Sequence, residues 1–241
     1  MTTPATSPPT GALRVLDTYC CQGGATRGYQ LAGFHVTGVD IAPQPRYCGQ
    51  GFHRADAVSF LRGNRDWIRA TFALVHASPP CQAHTLAQRI RGRAHPDLIA
   101  STRDALEEIG LPYVIENVPG APLRDPVLLC GAMAGMGLRT YRHRLFETGG
   151  GMVLPQPEHP AHVAPLAKMG RPARPHEFRH YVGNFSGVQQ ARDDMGMPWA
   201  TRDGLREAIP PAYTRHIGHA IAAALDPGGT TCHGDRDAIA A

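Results

Sequence analysis

The sequence lacks the features that would place a protein in a membrane or outside the cell. Its 241 residues contain no run of about 18 apolar residues, so no transmembrane helix is expected. Residues 1–11 are rich in Thr, Pro and Ser and have no apolar centre, so we interpret them as a disordered leader and not as a signal peptide. These absences predict a cytoplasmic protein.

Cysteine and lysine are both used sparingly. The six cysteines include no C-x-x-C pair and should stay reduced in the cytoplasm, so no structural zinc site is expected. Lys168 is the only lysine among 24 basic residues, which is typical of a GC-rich genome. The formal net charge of +4 is therefore weak evidence for a nucleic acid partner. Four histidines have a spacing that fits no common metal site, so we predict no metal: His159, His162, His176 and His180.

Strand and helix patterns alternate through the first half of the chain. The predicted strands are 13–17, 35–40, 52–55, 72–77 and 112–117, and the predicted helices are 25–32, 58–69 and 96–109. This order predicts an α/β fold with a doubly wound, mostly parallel sheet. Ligands of such sheets bind at the carboxyl ends of the strands.

The second half differs in composition and suggests further regions. Residues 12–147 would form the main domain, and 148–187, which are rich in Pro, His and Gly, would form a small module or functional insertion. Helical patterns return at 188–195 and 201–225, the second interrupted at Pro210-Pro211, and 226–241 would be a disordered tail.

The turn after the first strand, Asp17 to Gly24, is rich in small residues. Such a turn lets the backbone approach a ligand closely, although a glycine pair is also typical of a simple tight turn. Asp40 ends the second strand and could accept hydrogen bonds from ribose hydroxyls, while Asp56 ends the third and could accept from an exocyclic amine such as that of adenine. Either acid could instead be a helix N-cap. The turn is not G-x-G-x-x-G, which favours a nucleoside cofactor without a pyrophosphate.

A cysteine stands on a rigid turn after the fourth strand. In Ser78-Pro79-Pro80-Cys81-Gln82 the prolines fix the backbone, which favours Cys81 as a nucleophile over a small buried cysteine. Glu116 ends the fifth strand and could face it. A thiolate adding to C6 of cytosine, with a carboxyl proton delivered to N3, would make C5 nucleophilic.

These motifs together resemble the DNA cytosine-5 methyltransferases, especially the short versions encoded by phages, over about residues 13–225. The resemblance implies the fold of the S-adenosylmethionine-dependent methyltransferases and methyl transfer from that cofactor to a flipped-out cytosine of double-stranded DNA. The implied catalytic residues are Cys81, Glu116, Arg142 and Arg144. The implied cofactor contacts are Asp17, Tyr19, Cys20, Gln22, Gly23, Gly24, Asp40, Ile41, Asp56, Ala57, Pro79, Glu207 and Ala208.

The chain departs from the family pattern in three places. Cys21 stands where the family has a glycine, Tyr19 where it has the phenylalanine that stacks on adenine, and Arg206-Glu207 where it has Gly-Asn. Glu207 suits a cationic sulfonium and leaves open a modified cofactor that transfers a larger group.

The resemblance also implies how DNA would be held. The target base must leave the stack, and the arginine-rich loop 82–96 would close over DNA. The small region 148–187 takes the place of the family's target-recognition region. The implied DNA contacts are Gln82, Arg89, Arg91, Arg93, Asn117, Arg171, Arg174, Arg179 and Asn184.

Two alternatives remain open. A tRNA-directed branch of the family shares the Pro-Pro-Cys-Gln motif, so the acceptor could be RNA. An inactive homologue could serve as a DNA-binding module, although retention of Cys81, Glu116 and Arg144 together disfavours this. The resemblance favours a monomer in a bacterial or phage-infected cell and allows a cognate restriction enzyme as a partner in restriction-modification.

Overall fold

A seven-stranded sheet forms the centre of the chain. The computed structural model describes residues 12–80, 98–168, 171, 173–183 and 185–225. The strand order is β3-β2-β1-β4-β5-β7-β6, and β7 runs antiparallel to both of its neighbours while β1 to β5 are parallel. The strands are β1 (Arg14–Thr18), β2 (His35–Asp40), β3 (Gly51–Arg54), β4 (Leu74–Ala77), β5 (Tyr113–Asn117), β6 (Val127–Leu129) and β7 (Arg144–Gly149).

Helices cover both faces of this sheet. They are α1 (Gly24–Leu31), α2 (Ala57–Gly63), α3 (Arg65–Thr71), α4 (Ile99–Ile109), α5 (Val188–Met195), α6 (Arg202–Glu207) and α7 (Pro211–Leu225). Alternate strand residues point to opposite faces. Val15 packs in the core under α1 and α7, whereas its neighbour Leu16 packs in the core under α2, α3 and α4. The predicted doubly wound α/β fold is confirmed.

The C-terminal helix packs closely on the first helix. A Cβ atom at Gly28 of α1 would lie 1.9 Å from Thr214 Oγ1 and 2.2 Å from the Pro211 carbonyl oxygen, so only glycine permits this approach. Thr214 also donates a hydrogen bond to the Ala25 carbonyl at 2.8 Å. The start of α7 is thereby held against α1.

The predicted elements differ from the observed ones in two respects. The single helix predicted over 58–69 is two helices, α2 and α3, divided at Asn64, whose side chain bonds to the Phe60 carbonyl at 2.8 Å and ends the first. The sequence does not predict the short strands β6 and β7, because three residues carry little periodicity and the six of β7 include only two apolar side chains, which are adjacent. Strand β7 continues to Gly149, just beyond the expected boundary at 147/148.

Residues 150–187 contain no helix or named strand among those that the structure describes, only an isolated bridge between Leu166 and Phe178. Side-chain contacts hold this segment in place. The Gln156 amide both donates to and accepts from the Leu128 backbone of β6, at 2.9 and 2.8 Å. A separate small core, which includes Tyr181, Phe185, Met195 and Leu205, lies beside it. In the described part of the chain, no helix has the length and apolar character needed to span a membrane.

Candidate active site

The loop between β1 and α1 has an unusual backbone. Tyr19 and Cys21 have positive φ angles of 59° and 48°, and Gly23 has 87°. Left-handed backbone is costly for residues with a Cβ atom, so Cys21 occupies a conformation that favours glycine. The backbone N–H of Cys21 donates to Asp40 Oδ2 at 2.9 Å, and that of Ala42 donates to Oδ1 at 2.9 Å. Asp40 therefore fixes this loop against the end of β2.

Asp17 lies buried beneath the loop, at 1% exposure. Its Oδ2 accepts a hydrogen bond from Thr26 Oγ1 at 2.5 Å, while its Oδ1 has no hydrogen-bond partner among the described residues. Burial is the main cause that raises the pKa of Asp17 to about 7; the negative charges of Asp40 and Glu116 contribute to this rise, and the hydrogen bonds from Thr26 oppose it. Three carboxyl groups thus share one region at the strand ends, which favours a cationic ligand.

Tyr19 and Asp56 lie on the other side of this loop. The Tyr19 hydroxyl shares a 2.8 Å hydrogen bond with Thr102 of α4, which fixes its ring. Asp56 is exposed and caps α2 by accepting from the Ser59 N–H at 2.9 Å, so the N-cap interpretation of this acid is the one observed. Ala57 begins α2 and is buried, and Ile41 is exposed.

The C-terminal segment folds over the loop. The Gln22 side chain, expected at the cofactor, instead exchanges two 2.9 Å hydrogen bonds with Thr201, and the Gln22 carbonyl accepts from the Trp199 indole at 2.7 Å. Glu207 Oε2 lies 3.9 Å from Cys21 Sγ. The sequence could not show that Gln22 serves this contact, because its partners are about 180 residues away.

Close packing also surrounds the remaining predicted cofactor residues. Cys20 is buried, at 5% exposure. A Cβ atom at Gly23 would lie 2.7 Å from Cys48 Sγ, and one at Gly24 would lie 2.4 Å from the Ile209 carbonyl and 3.3 Å from Ala208 Cβ. Both glycines are therefore required by packing whether or not a ligand also approaches them.

Glu116 is the buried acid at the end of β5. Its Oε1 pairs with Arg144 Nε at 2.8 Å, and its carboxyl group also receives a hydrogen bond from Ser78. Burial raises the pKa of Glu116, while Arg144, Arg142 and Ser78 oppose that rise. Glu116 thus lies next to Ser78, which begins the turn after β4, whereas the prediction that Glu116 faces Cys81 stays a prediction, because Cys81 lies outside the described residues.

A hydrogen-bonded chain that the sequence did not indicate continues inward from Ser78. His76 Nε2 lies 2.9 Å from Ser78 Oγ, and His76 Nδ1 lies 3.0 Å from the Tyr29 hydroxyl. Burial lowers the pKa of His76 to about 3, so its ring is neutral. If Ser78 donates to Glu116, then His76 must carry its proton on Nε2 and accept from Tyr29. The only sequence signal was a histidine two residues before Ser78 on the same side of the strand.

Asn117 fixes the turn that carries the cysteine. Its amide nitrogen donates to the Pro79 carbonyl at 3.0 Å, and its amide oxygen accepts from the Val118 N–H at 2.9 Å. The side chain is buried, at 1% exposure, and its hydrogen bonds hold the turn; the predicted contact of Asn117 with DNA stays a prediction. Several predicted site residues lie outside the described residues: Cys81, Gln82, Arg89, Arg91, Arg93 and Asn184.

Arg142 was expected beside the target base, but its guanidinium binds the C-terminal segment. It donates to the carbonyls of Ala208 at 3.0 Å, Arg206 at 2.7 Å and Tyr181 at 3.4 Å. The Tyr213 hydroxyl in turn donates to the Arg142 carbonyl. These bonds hold Arg142 against the C-terminal segment, and its charge still lowers the pKa of Glu116, the acid with which Arg144 forms an ion pair.

Two of the three described arginines predicted to contact DNA form ion pairs within the protein. Arg171 binds both carboxylate oxygens of Glu177, at 2.5 and 2.7 Å, which holds the pKa of Glu177 at about 2. Arg179 is mostly buried, and its Nε lies 4.0 Å from Asp194. Arg174 is exposed. Arg171 and Arg179 thus stabilise their own region, because their acidic partners come together only in the fold.

Solved structures share this architecture over nearly the whole chain. One, described as a DNA modification methyltransferase encoded within an E. coli prophage, is 14% identical, with a TM-score of 0.63, over 89% of this chain and 100% of that one. The S. pombe Dnmt2 methyltransferase is 12% identical, with a TM-score of 0.55, over 90% and 99%. The Entamoeba histolytica methyltransferase EhMeth is 10% identical, with a TM-score of 0.55, over 90% and 99%. No protein-family model and no curated protein sequence matches the chain.

The sheet order and these likenesses define the class of fold. The chain has the α/β fold of the S-adenosylmethionine-dependent methyltransferases, as the sequence predicted. TM-scores of 0.55–0.63 show a shared fold, whereas sequence identities of only 10–14% leave the reaction to be argued from the residues of this chain.

Proposed function

We propose that this protein transfers a methyl group from S-adenosylmethionine to C5 of cytosine in DNA, with Cys81 as the nucleophile. The observation that carries the proposal is the buried ion pair between Glu116 and Arg144, with Ser78 bonded to the same carboxyl group. Ser78 begins the Pro-Pro turn that leads directly to Cys81 in the sequence. The reaction requires an acid and a thiol nucleophile together, and Glu116 supplies an acid with a raised pKa at the turn that leads to Cys81 in the sequence.

The residues at the ends of β1 and β2 suit the proposed cofactor. Asp17 offers a buried carboxylate oxygen without a partner among the described residues, and a cationic ammonium or sulfonium group would satisfy it. Asp40 can accept further hydrogen bonds, because each carboxylate oxygen has two lone pairs and each accepts one N–H bond from the loop. Tyr19 offers an aromatic face fixed by Thr102. When bound, the cofactor would supply an electrophilic methyl group.

In this proposal the protein's own residues activate the cytosine ring and release the product. The Cys81 thiolate adds to C6 of the flipped cytosine while Glu116 delivers a proton to N3, so that C5 becomes nucleophilic. Arg144 holds the Glu116 carboxyl in place, and Asn117 holds the turn before Cys81. After methylation a base removes the C5 proton, the bond from C6 to Cys81 breaks to release the thiolate, and N3 returns its proton to Glu116.

Methyl transfer from tritiated cofactor to duplex DNA, with a tRNA transcript as the second acceptor, tests the proposal. We expect label in DNA at the cytosine 5-position, lost in Cys81→Ser with cofactor affinity retained. Glu116→Gln should reduce the rate by about 10²–10⁴-fold, because an amide cannot deliver a proton. Glu108→Gln is the matched control, since Glu108 lies exposed on α4 and pairs with Arg65 at the surface.

A covalent trap separates the alternatives. Duplex DNA with 5-fluorocytosine should form a denaturation-resistant adduct with the wild-type protein and none with Cys81→Ser. Transfer to tRNA alone would support the RNA alternative. Binding of both DNA and cofactor without an adduct would support an inactive DNA-binding homologue, and transfer that persists in Cys81→Ser would refute the role of the thiol.

A further inference from the structure

A cysteine and three histidines converge at the edge of the sheet, away from the loop that would hold the cofactor. The group, named here the Cys130 cluster, consists of Cys130, His143, His159 and His162, and one ligand atom from each lies within 4.8 Å of all the others. His143 Nε2 lies 3.0 Å from His159 Nε2, and Cys130 Sγ lies 3.4 Å from His162 Nε2. Four potential metal ligands therefore point at one volume.

Three separate segments supply these residues. Cys130 directly follows β6 and is fully buried, and His143 directly precedes β7. His159 and His162 come from the irregular segment after β7 and are exposed. The sequence did not reveal the cluster, because Cys130 and His143 join His159 and His162 only through the pairing of β6 with β7 and the return of the later segment.

The supporting contacts hold the two sides of the cluster together. Gln156, which lies three residues before His159, binds the backbone of Leu128 in β6. The Tyr141 ring stacks on the His162 ring, with centroids 3.7 Å apart, and its hydroxyl donates to the Ala164 carbonyl at 2.9 Å. The cluster is thus part of a built structure, in the sense that contacts outside it orient its members.

We propose that the Cys130 cluster is a structural zinc site. Zinc binds cysteine sulfur and histidine nitrogen in tetrahedral geometry, with bond lengths of about 2.3 Å and 2.0–2.1 Å. Those lengths place neighbouring nitrogens roughly 3.4 Å apart and sulfur roughly 3.6 Å from nitrogen, within a few tenths of an ångström of the two distances observed. One thiolate with three neutral imidazoles suits zinc better than magnesium or calcium, which prefer oxygen.

The site is structural because the protein supplies all four ligands. The site also lies next to Arg144, the residue that pairs with Glu116. The next residue after His143 is Arg144, and the Arg144 NH1 donates to the His143 carbonyl at 2.8 Å. A metal held here fixes the start of β7, where Arg144 meets Glu116, and anchors the segment after β7 to the sheet.

Untagged full-length protein tests the proposal without any assay of methyl transfer. Elemental analysis after purification and dialysis should find about one zinc per chain. After chelator treatment, Co²⁺ should restore tetrahedral d–d absorption together with a thiolate-to-cobalt charge-transfer band. His159→Ala should weaken Zn²⁺ binding by more than about a hundredfold, since even the loss of an outer contact costs 10–100-fold. His176→Ala is the matched control, as an exposed histidine outside the cluster, and should bind like the wild type.

The thiol distinguishes this site from adventitious binding to histidines. Cys130→Ser should abolish the cobalt charge-transfer band. If Cys130→Ser does not fold, the thiolate-to-cobalt band of the wild type and the Zn²⁺ affinity of His159→Ala, a change at an exposed residue, still test the proposal. Absence of bound zinc with no thiolate band in the wild type, or equal affinity in His159→Ala and His176→Ala, would refute the proposal.

Discussion

Replacement of Asp17 by asparagine should remove a strong pH dependence of stability. The Asp17 carboxyl is buried, and burial raises its pKa from 3.8 to about 7. Because the pKa is higher in the folded protein than in the unfolded chain, the contribution of Asp17 is fully present below about pH 4. It is lost as the pH rises toward 7, where the folded protein must hold a buried charge.

The magnitude follows from the difference in pKa. Each pKa unit corresponds to roughly 1.4 kcal/mol, so the free energy of unfolding should fall by roughly 4 kcal/mol between pH 4 and 8 on account of this group alone. The asparagine side chain cannot ionise, but its NH₂ group would take the place of an oxygen that has no partner among the described residues, at a cost of about 1–3 kcal/mol. Asp17→Asn should therefore be the less stable protein at pH 4.5 and the more stable one at pH 8.

Urea unfolding without cofactor measures this difference. The fluorescence of the two tryptophans, Trp67 and Trp199, reports the transition across pH 4.5–8. Subtracting the free energy of unfolding of the variant from that of the wild type at each pH cancels the contributions of the other titrating groups. Asp66→Asn is the matched control for the change of an aspartate to asparagine, because the Asp66 side chain is 99% exposed. A difference for Asp17→Asn that stays constant with pH would refute the argument from burial.

Three further predictions concern the framework of the site. Arg103→Ala breaks the buried ion pair with Glu147, whose two hydrogen bonds measure 2.6 and 2.7 Å, and should lower the free energy of unfolding by about 3–5 kcal/mol and the Tm by roughly 6–20 °C. Leucine at both positions should restore part of the lost stability, and an unchanged Tm in Arg103→Ala would contradict the prediction. Cys21→Gly relieves a left-handed residue and should raise stability by up to about 1 kcal/mol in thermal unfolding, whereas a loss would show that the thiol is needed. Ser78→Ala removes a hydrogen bond that lowers the pKa of Glu116, so the alkaline limb of the rate profile should move to higher pH, and a shift to lower pH would count against it.

The order of elements could be predicted from the sequence because it depends on local patterns. Apolar runs with turn residues between them marked β1 to β5, and β2 was predicted with its observed bounds. The acids Asp17, Asp40 and Glu116 could be placed at one edge of the sheet because parallel strands end on the same side. The motif at Ser78 to Gln82 could be recognised from the residue types alone, since its rigidity comes from two adjacent prolines.

The roles of individual polar side chains depended on partners distant in the chain. Gln22, Arg142 and Asn117 have the residue types expected at a site, yet each is bonded to a segment between 38 and 179 residues away. The same is true of the Cys130 cluster, where no pair spacing signals a metal and the ligands meet only across β6 and β7. Residue type sets what a side chain can bind, whereas the packing of remote segments sets what it does bind.

The sequence by itself thus determined the class of fold and the chemistry available at the strand ends, because short-range patterning and strand polarity decide both. Only the tertiary structure decided which polar groups are already paired, which acid is buried deeply enough to change its pKa, and which thiol and imidazoles share one centre. Those properties depend on burial and on distances between atoms, which arise when the sheet and its two layers of helices come together.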